Sequence, residues 1–160
     1  MSGREGFIQR YGAIYEDSPW VAEAVWPGAG VLRSAQALAG AMAAVVDSAS
    51  REQKLALIRA HPQLASRARM ADASVREQSG AGLDQCSPQE FADFQRLNAA
   101  YNARFGFPFI VAVKDMSRRD ILDAFADRLT HDPETEFIEA LRQIHRIAAF
   151  RLADLFKDAS

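Results

Sequence analysis

Apolar residues recur every three or four positions along most of this chain, which is the spacing of helices that each bury one face. One stretch departs from that spacing and is continuously apolar, at residues 107–113. The predicted helices cover approximately residues 4–15, a short segment with Ser18 as its predicted N-cap followed by Pro19, and then 34–49, 50–61, 87–105, 117–129 and 132–155. The pattern predicts an all-α fold, a single compact domain of about seven or eight helices with one short extended segment.

Signals at the helix ends support this division. Ser87-Pro88-Gln89-Glu90 combines an N-cap serine, a proline at the first helical position and a capping glutamate. Ser50 and Gln53 resemble a second capping box, and Gly106 is the residue type expected just after a helix. Nothing else in the chain resembles a partner strand for residues 107–113, so their backbone groups must be satisfied in another way. No internal repeat or linker divides the chain, and one domain over residues 1–160 is expected.

Composition and charge exclude several classes of protein. The chain has 160 residues, with 19 basic and 21 acidic side chains and a net charge of −2. This balance provides no basic surface for nucleic acid or for an anionic membrane. The single cysteine, Cys86, excludes an internal disulfide framework. No apolar run has the length of a membrane span and no signal peptide is visible, so a cytoplasmic protein is expected.

His61 has the most suggestive position of the three histidines. It lies where Pro62 forces a helix to stop, directly before the least periodic part of the chain, residues 63–84. His131 is explained by a helix end, and His145 by a place beside the apolar stripe of the last helix. Taken alone, His61 is more simply interpreted as a structural histidine at a helix end.

Motifs for metal and nucleotide sites are missing. No two histidines are four residues apart, His-Glu-x-x-His does not occur, and no glycine-rich phosphate loop is present. Neither a metal nor a nucleotide cofactor is therefore expected. Ser74 and Glu77 have the spacing of a capping box, which is the simpler interpretation of that glutamate.

Two polar residues fall on faces that are otherwise apolar. Arg151 lies at the edge of the stripe of the last predicted helix, where its guanidinium must reach water, pair with an acidic side chain or bind a substrate carboxylate. Asn98 lies among aromatic residues of the helix that starts at Ser87. A buried amide needs partners, and support of a neighbouring loop is the preferred interpretation.

Several motifs in order resemble one family, the decarboxylases of 2-oxo-4-hydroxy-4-carboxy-5-ureidoimidazoline (OHCU), an intermediate of urate breakdown. They are Tyr15-Glu16-Asp17-Ser18-Pro19-Trp20, His61-Pro62-Gln63-Leu64-Ala65, the run REQSGAGL at 76–83, the run LNAAYNARFGFPF at 97–109, and IAAFRL at 147–152. The likeness extends from about Phe7 to Phe156. The family's usual His-Pro-Asp-Leu is His-Pro-Gln-Leu here, and Gln63 cannot supply a charge.

The resemblance implies an all-helical decarboxylase that needs no cofactor, is usually a homodimer and yields (S)-allantoin. Its catalytic histidine, glutamate and late arginine fall on His61, Glu77 and Arg151. Its substrate-binding residues fall on Pro62, Ser74, Val75, Arg76, Glu77, Gln78, Phe109, Ile110, Val111, Ala112 and Val113. An extended segment without a partner strand can offer its amides and carbonyls to a ureido-substituted ring.

Two other functions remain open at this point. A non-catalytic helical interaction module would explain the helices and their caps, although it leaves Arg151 and the polar segment after His61 without a role. A second possibility is a lyase that acts on a different ureido compound.

Overall fold

The computed structural model describes residues 3–26, 34–65 and 72–158. These ranges contain eight α-helices, one short 3-10 turn at Leu83–Gln85 and no strand, which confirms the all-α prediction. The helices are Gly3–Tyr11 (α1), Trp20–Val25 (α2), Ala35–Asp47 (α3), Arg51–Ala60 (α4), Asp72–Gly80 (α5), Pro88–Phe105 (α6), Arg118–Arg128 (α7) and Pro133–Asp158 (α8). Within the described ranges, none of these helices has the length and apolarity needed to cross a bilayer.

The described residues pack as two compact units. The first contains the residues up to Ala60 together with those from Ile144 onward, and the second contains His61–Gln143. Side chains with at most 2% of their surface exposed mark the core of each unit. In the first unit they include Tyr15, Val21, Leu38, Met42 and Leu152; in the second they include Phe94, Tyr101, Phe109, Ile121 and Phe125. The expectation of one domain over residues 1–160 stays a prediction.

The predicted helix starts at Ser50, Ser87 and Ser117 are confirmed by their hydrogen bonds. The Ser87 hydroxyl accepts from the Glu90 amide at 3.1 Å, and the Glu90 carboxylate accepts from the Ser87 amide at 2.9 Å. The Ser87 amide, and then Arg118, hold the pKa of the Glu90 carboxyl below its usual range. Ser50 and Gln53 form the corresponding box at the start of α4, and Ser117 caps α7 through the Asp120 amide. Each cap accepts a hydrogen bond from an amide of the first turn that has no partner within the helix. Local interactions therefore determine where these helices begin.

Three predicted details are wrong. Helix α1 ends at Tyr11 and not near residue 15, because the chain turns from Gly12 onward. The Ser18 hydroxyl does not cap α2; it donates instead to the Glu16 carbonyl at 2.8 Å. The Ser74–Glu77 pair is not a capping box, because α5 already begins at Asp72.

Helix α5 lies in the stretch that appeared aperiodic in sequence. Of residues 63–84, the structure describes 63–65 and 72–84, and the second of these ranges is largely helical. The helix is polar and ends in glycine, so its buried positions do not form an apolar stripe. Its inward side carries Gln78, whose side chain is hydrogen-bonded to the backbone of residues 63 and 65, and hydrophobic periodicity does not detect such contacts.

Residues 108–113 run without a turn or bend, as predicted for an extended segment, and Phe107 lies in the bend that precedes them. All seven residues are buried, none lies in a helix, strand or turn, and none has a positive φ. The segment follows Gly106, whose φ of 78° ends α6 in the left-handed conformation that glycine adopts without strain. A buried segment of this kind must find hydrogen-bond partners outside any sheet.

We expect Ser87→Ala to lower the free energy of unfolding by about 1 kcal/mol, because the amide of Glu90 loses its capping acceptor. Urea unfolding followed by circular dichroism measures the change. Ser48→Ala, at the exposed C-terminal end of α3, is the matched control and should alter stability by less than about 0.5 kcal/mol. Equal effects of the two substitutions would contradict the capping interpretation.

Candidate active site

His61 is a buried imidazole at the end of α4. It is the first residue after Ala60, it is 7% exposed, and Pro62 follows it. Proline disfavours helical geometry in the residue before it, so the helix stops at this point and the chain leaves it at the histidine. Its position at a helix end is as the sequence predicted.

Three amide side chains hold the loop that follows His61. The Gln78 side chain accepts from the Ala65 amide at 3.0 Å and donates to the Gln63 carbonyl at 3.3 Å. Gln95 donates to the Ala65 carbonyl at 3.2 Å, and Asn98 donates to the Leu64 carbonyl at 3.0 Å. The predicted role of Asn98 in supporting a loop is therefore confirmed. Because these bonds start two residues after His61, they restrict how far its backbone can move.

Ala65 explains why this loop needs so many bonds. Its φ is 54°, a left-handed conformation that non-glycine residues seldom adopt. Hydrogen bonds to both its amide and its carbonyl stabilise that conformation. The loop is thus held in a strained geometry by side chains of α5 and α6.

Helix α5 presents its five candidate residues on two different sides. Ser74 and Gln78 are buried and one helical turn apart, and Glu77 is partly buried next to Gln78. Val75 is 46% exposed and Arg76 is also exposed. Of the five, Ser74, Glu77 and Gln78 therefore share the inward side, and Gln78 connects that side to the loop after His61.

The backbone of residues 109–113 is bonded by two side chains. Arg128 Nη1 donates to the Ile110 carbonyl, and the Ala112 amide donates to Gln143 Oε1 at 3.0 Å. At the end of the segment, the Val113 carbonyl accepts from the Met116 amide at 3.0 Å. The amide and the carbonyl of Val111 make no hydrogen bond to any residue that the structure describes.

A buried carboxylate organises the surroundings of this segment. Glu136 is fully buried and accepts from Tyr101 Oη at 2.5 Å, Arg128 Nε at 2.7 Å and His131 Nδ1 at 2.8 Å. Burial and then the Glu136 hydrogen bond raise the pKa of the Tyr101 phenol. The Arg128 guanidinium also lies over the Phe109 ring, 4.5 Å from its centre.

Arg128 is a residue that our sequence reasoning missed. It lies three positions after Phe125 on the buried face of α7 and is 6% exposed. The signal that drew attention to Arg151, an arginine on an apolar stripe, was present here as well. Its buried Nη2 atom has no hydrogen-bond partner within the described residues.

Arg151 is buried and paired. It is 8% exposed, and its guanidinium contacts Glu16 Oε1 and the Ile14 carbonyl, each at 3.3 Å. Glu16 is itself only 3% exposed. The ion pair was one of the three options that the sequence left open. It orients the guanidinium and partly neutralises its charge.

The other two histidines have structural partners. His131 bonds Glu136, as described above, and lies near Asp127. His145 bridges Tyr15 Oη at 2.8 Å and Asp47 at 3.0 Å. Both findings agree with the structural interpretation of these residues.

The second unit contains His61, Glu77 and the segment 109–113, and the first contains Arg151. Within each unit the candidate residues are held by buried polar contacts. No three His, Cys, Asp or Glu side chains of the described ranges are grouped as metal ligands would be.

The two fully buried tyrosines should resist ionisation. Burial, with a smaller effect of Asp47, raises the pKa of Tyr15, as burial and Glu136 do for Tyr101. The unfolded chain loses phenolic protons above about pH 10, and the folded state retains them, so stability falls as the pH rises above that point. At about pH 11, the ultraviolet absorbance of the native protein should show at most one phenolate.

Unfolding in guanidinium at the same pH should reveal all three tyrosines. Tyr101→Phe should reduce the unfolded signal by one phenolate and leave the native signal unchanged. Three ionised tyrosines in a protein that retains native circular dichroism would contradict the buried geometry.

Comparison with known proteins places the chain in a family. A family model described as OHCU decarboxylase matches residues 2–153. A 2-oxo-4-hydroxy-4-carboxy-5-ureidoimidazoline decarboxylase of Haloferax volcanii is 46% identical over 152 residues, covering 95% of this chain and 90% of that protein. The Mus musculus protein of that name is 35% identical over 156 residues, covering 93% and 85%. The crystal structure of an (S)-allantoin synthase superimposes with a TM-score of 0.79 at 35% identity, covering 96% of this chain and 51% of that one. The chain belongs to the OHCU decarboxylase family.

Proposed function

We propose that this chain decarboxylates OHCU to (S)-allantoin in urate degradation, and that His61, Glu77 and Arg151 are its catalytic residues. The observation that carries the proposal is a family match over residues 2–153 that contains a buried histidine in a locked loop. An enzyme accounts for that locked loop, whereas an interaction module does not require it.

The reaction must stabilise the electron pair of the bond that breaks, and it must supply one proton. The bond between the ring carbon and the carboxylate breaks, carbon dioxide leaves, and the bonding pair moves into the conjugated imine of the substrate. The imine nitrogen takes up a proton as it receives the pair. The resulting enol then loses its hydroxyl proton and the neighbouring ring carbon accepts a proton, so that one proton is consumed overall. Because the substrate carries its own electron sink, the protein has to orient it, stabilise charge and move protons.

His61 is the residue proposed to move protons at the hydroxyl and the ring. An imidazole can donate and accept protons near neutral pH, so one side chain can serve both steps. Its buried position limits the access of bulk water to the imidazole. Glu77 is proposed to orient the substrate or His61 and to assist with the hydroxyl proton.

Arg151 is proposed to orient the substrate carboxylate. Firm binding of a departing carboxylate stabilises the ground state and would slow its loss. The Glu16 partner reduces that problem, because it already offsets much of the guanidinium charge. The planar guanidinium, held in one orientation, then positions the carboxylate more than it attracts it.

The backbone of residues 109–113 is proposed to bind the ureido group and the ring. A ureido group has both N–H donors and a C=O acceptor, and the segment is buried with some backbone groups unused by described residues. On α5, Ser74 and Gln78 belong to the inward side of the proposed binding surface, and Pro62 borders His61. A homodimer, which the resemblance implies, in the cytoplasm, which the sequence led us to expect, completes the proposal.

We expect His61→Asn to lower kcat by about 10²-fold or more, because Glu77 is proposed only to assist with the hydroxyl proton and no other group is assigned to protonate the ring. Loss of OHCU absorbance and the circular dichroism of (S)-allantoin follow substrate and product separately. His145→Asn, a partly exposed histidine outside the proposed site, is the control and should retain wild-type rates. A folded His61→Asn protein with full activity would refute the assignment, and a wild type that forms no allantoin would refute the function.

For Arg151→Lys we expect kcat/KM to fall at least about tenfold, because an ammonium point charge cannot reproduce the planar fork. Arg146→Lys makes the same exchange at an exposed position of α8 and should have no effect. Initial rates with purified OHCU give both constants. Unchanged kinetics in the Arg151 variant would exclude a fork-dependent role.

A further inference from the structure

We infer that Arg128 and Gln143 are positioning residues, which hold the backbone of residues 109–113 in the geometry that binds substrate. The inference rests on the proposed function and deepens it. Neither side chain belongs to the sequence motifs that suggested the site, and neither is proposed to touch the substrate. We call the pair the backbone clamp.

The two bonds of the backbone clamp lie two residues apart. Arg128 binds the Ile110 carbonyl, and Gln143 binds the Ala112 amide. In extended backbone, the N–H and C=O of one residue point to the same side and those of the next residue to the opposite side. Bonds at 110 and 112 therefore use one edge of the segment.

The opposite edge belongs to Val111. Its amide and carbonyl have no hydrogen bond to the described residues, so the backbone clamp leaves one donor and one acceptor side by side. A ureido group can exchange two hydrogen bonds with such a pair, in the way that a residue of a neighbouring strand does. The backbone clamp thereby selects which edge faces the ligand.

The orientation of the Gln143 amide follows from chemistry. Its Nε2 lies 2.8 Å from Glu139 Oε1, and a carboxylate only accepts hydrogen bonds. The NH2 group must therefore face Glu139, which directs Oε1 toward the Ala112 amide. Glu139 thus determines which end of the amide meets the backbone.

Arg128 is oriented in a comparable way. Its Nε is held by the fully buried Glu136 at 2.7 Å, while Nη1 binds the Ile110 carbonyl. The guanidinium also lies over Phe109, whose ring stacks on Phe125 with centres 3.9 Å apart. These contacts give the start of the segment a defined position before any ligand arrives.

Removing the backbone clamp should weaken substrate binding more than it slows the chemical step. A segment that has lost a backbone partner populates other conformations, and binding must then restore the competent one. A purely structural role would lower the melting temperature and leave the affinity of the folded protein unchanged. The dissociation constant of (S)-allantoin and the separate changes in KM and kcat distinguish these two roles.

The decisive experiment exchanges the side chains of Gln143 and Glu139. Q143E sets two carboxylates against each other, and we expect the KM for OHCU and the Kd for (S)-allantoin to rise about tenfold, the effect of one hydrogen bond. In the double variant E139Q/Q143E, the amide introduced at position 139 donates to the carboxylate introduced at position 143. That carboxylate still accepts from the Ala112 amide, so both constants should return close to wild type. E139Q alone can present either an acceptor or a donor to Gln143 and no longer fixes the orientation of its amide, so its KM and Kd should lie between those of wild type and Q143E.

A second substitution tests the other half of the backbone clamp. R128K retains a cation for Glu136 and cannot also reach the Ile110 carbonyl as a fork, so KM and Kd should rise with a smaller change in kcat. Calorimetry with (S)-allantoin, steady-state kinetics and thermal unfolding are measured for every variant.

The outcomes separate the two proposals. An active wild type whose folded Q143E and R128K variants bind (S)-allantoin normally overturns this inference alone. A Q143E defect that E139Q/Q143E does not rescue also overturns it. A wild type that neither converts OHCU nor binds (S)-allantoin overturns the proposed function, and with it this inference.

Discussion

A buried stretch of backbone that has no partner strand among the described residues is the constraint on which much of the second unit depends. Residues 107–113 are all buried, and peptide groups removed from water must be bonded or incur a large desolvation cost. Side chains take the place of a neighbouring strand at Ile110 and Ala112. A carboxylate, Glu136, must then be buried to hold the arginine that does this. Each buried polar group therefore requires a buried hydrogen-bond partner of its own.

The same device recurs in the loop after His61. Side chains of Gln78, Gln95 and Asn98 bind backbone groups of residues 63–65, where one residue has a left-handed conformation. An amide side chain carries both a donor and an acceptor and can substitute for a peptide group of another strand or turn. Polar residues are rarely buried without such a purpose, and here they coincide with the elements proposed to bind substrate.

The buried ion pair between Arg151 and Glu16 is compatible with a decarboxylation reaction. An unpaired buried guanidinium would be costly, and it would also bind the carboxylate that Arg151 is proposed to orient too firmly for carbon dioxide to leave readily. Pairing with Glu16 at 3.3 Å keeps the fork in place with less net charge. The residues proposed for proton transfer and orientation are thus restrained before substrate arrives, which lowers the reorganisation that catalysis requires.

The amino-acid sequence determined the helices whose caps and apolar stripes lie within a few neighbouring residues, such as the start of α6 at Ser87 and its end at Gly106. It also predicted that a helix ends at His61, because a proline disfavours helical geometry in the residue directly before it. Only the tertiary structure decided that Gln78 of α5 binds the loop after His61 and that Arg128 binds Ile110, since these hydrogen bonds join residues distant in sequence. Periodicity identifies which face of a helix is buried, and the partner of a polar group on that face depends on how the whole unit packs.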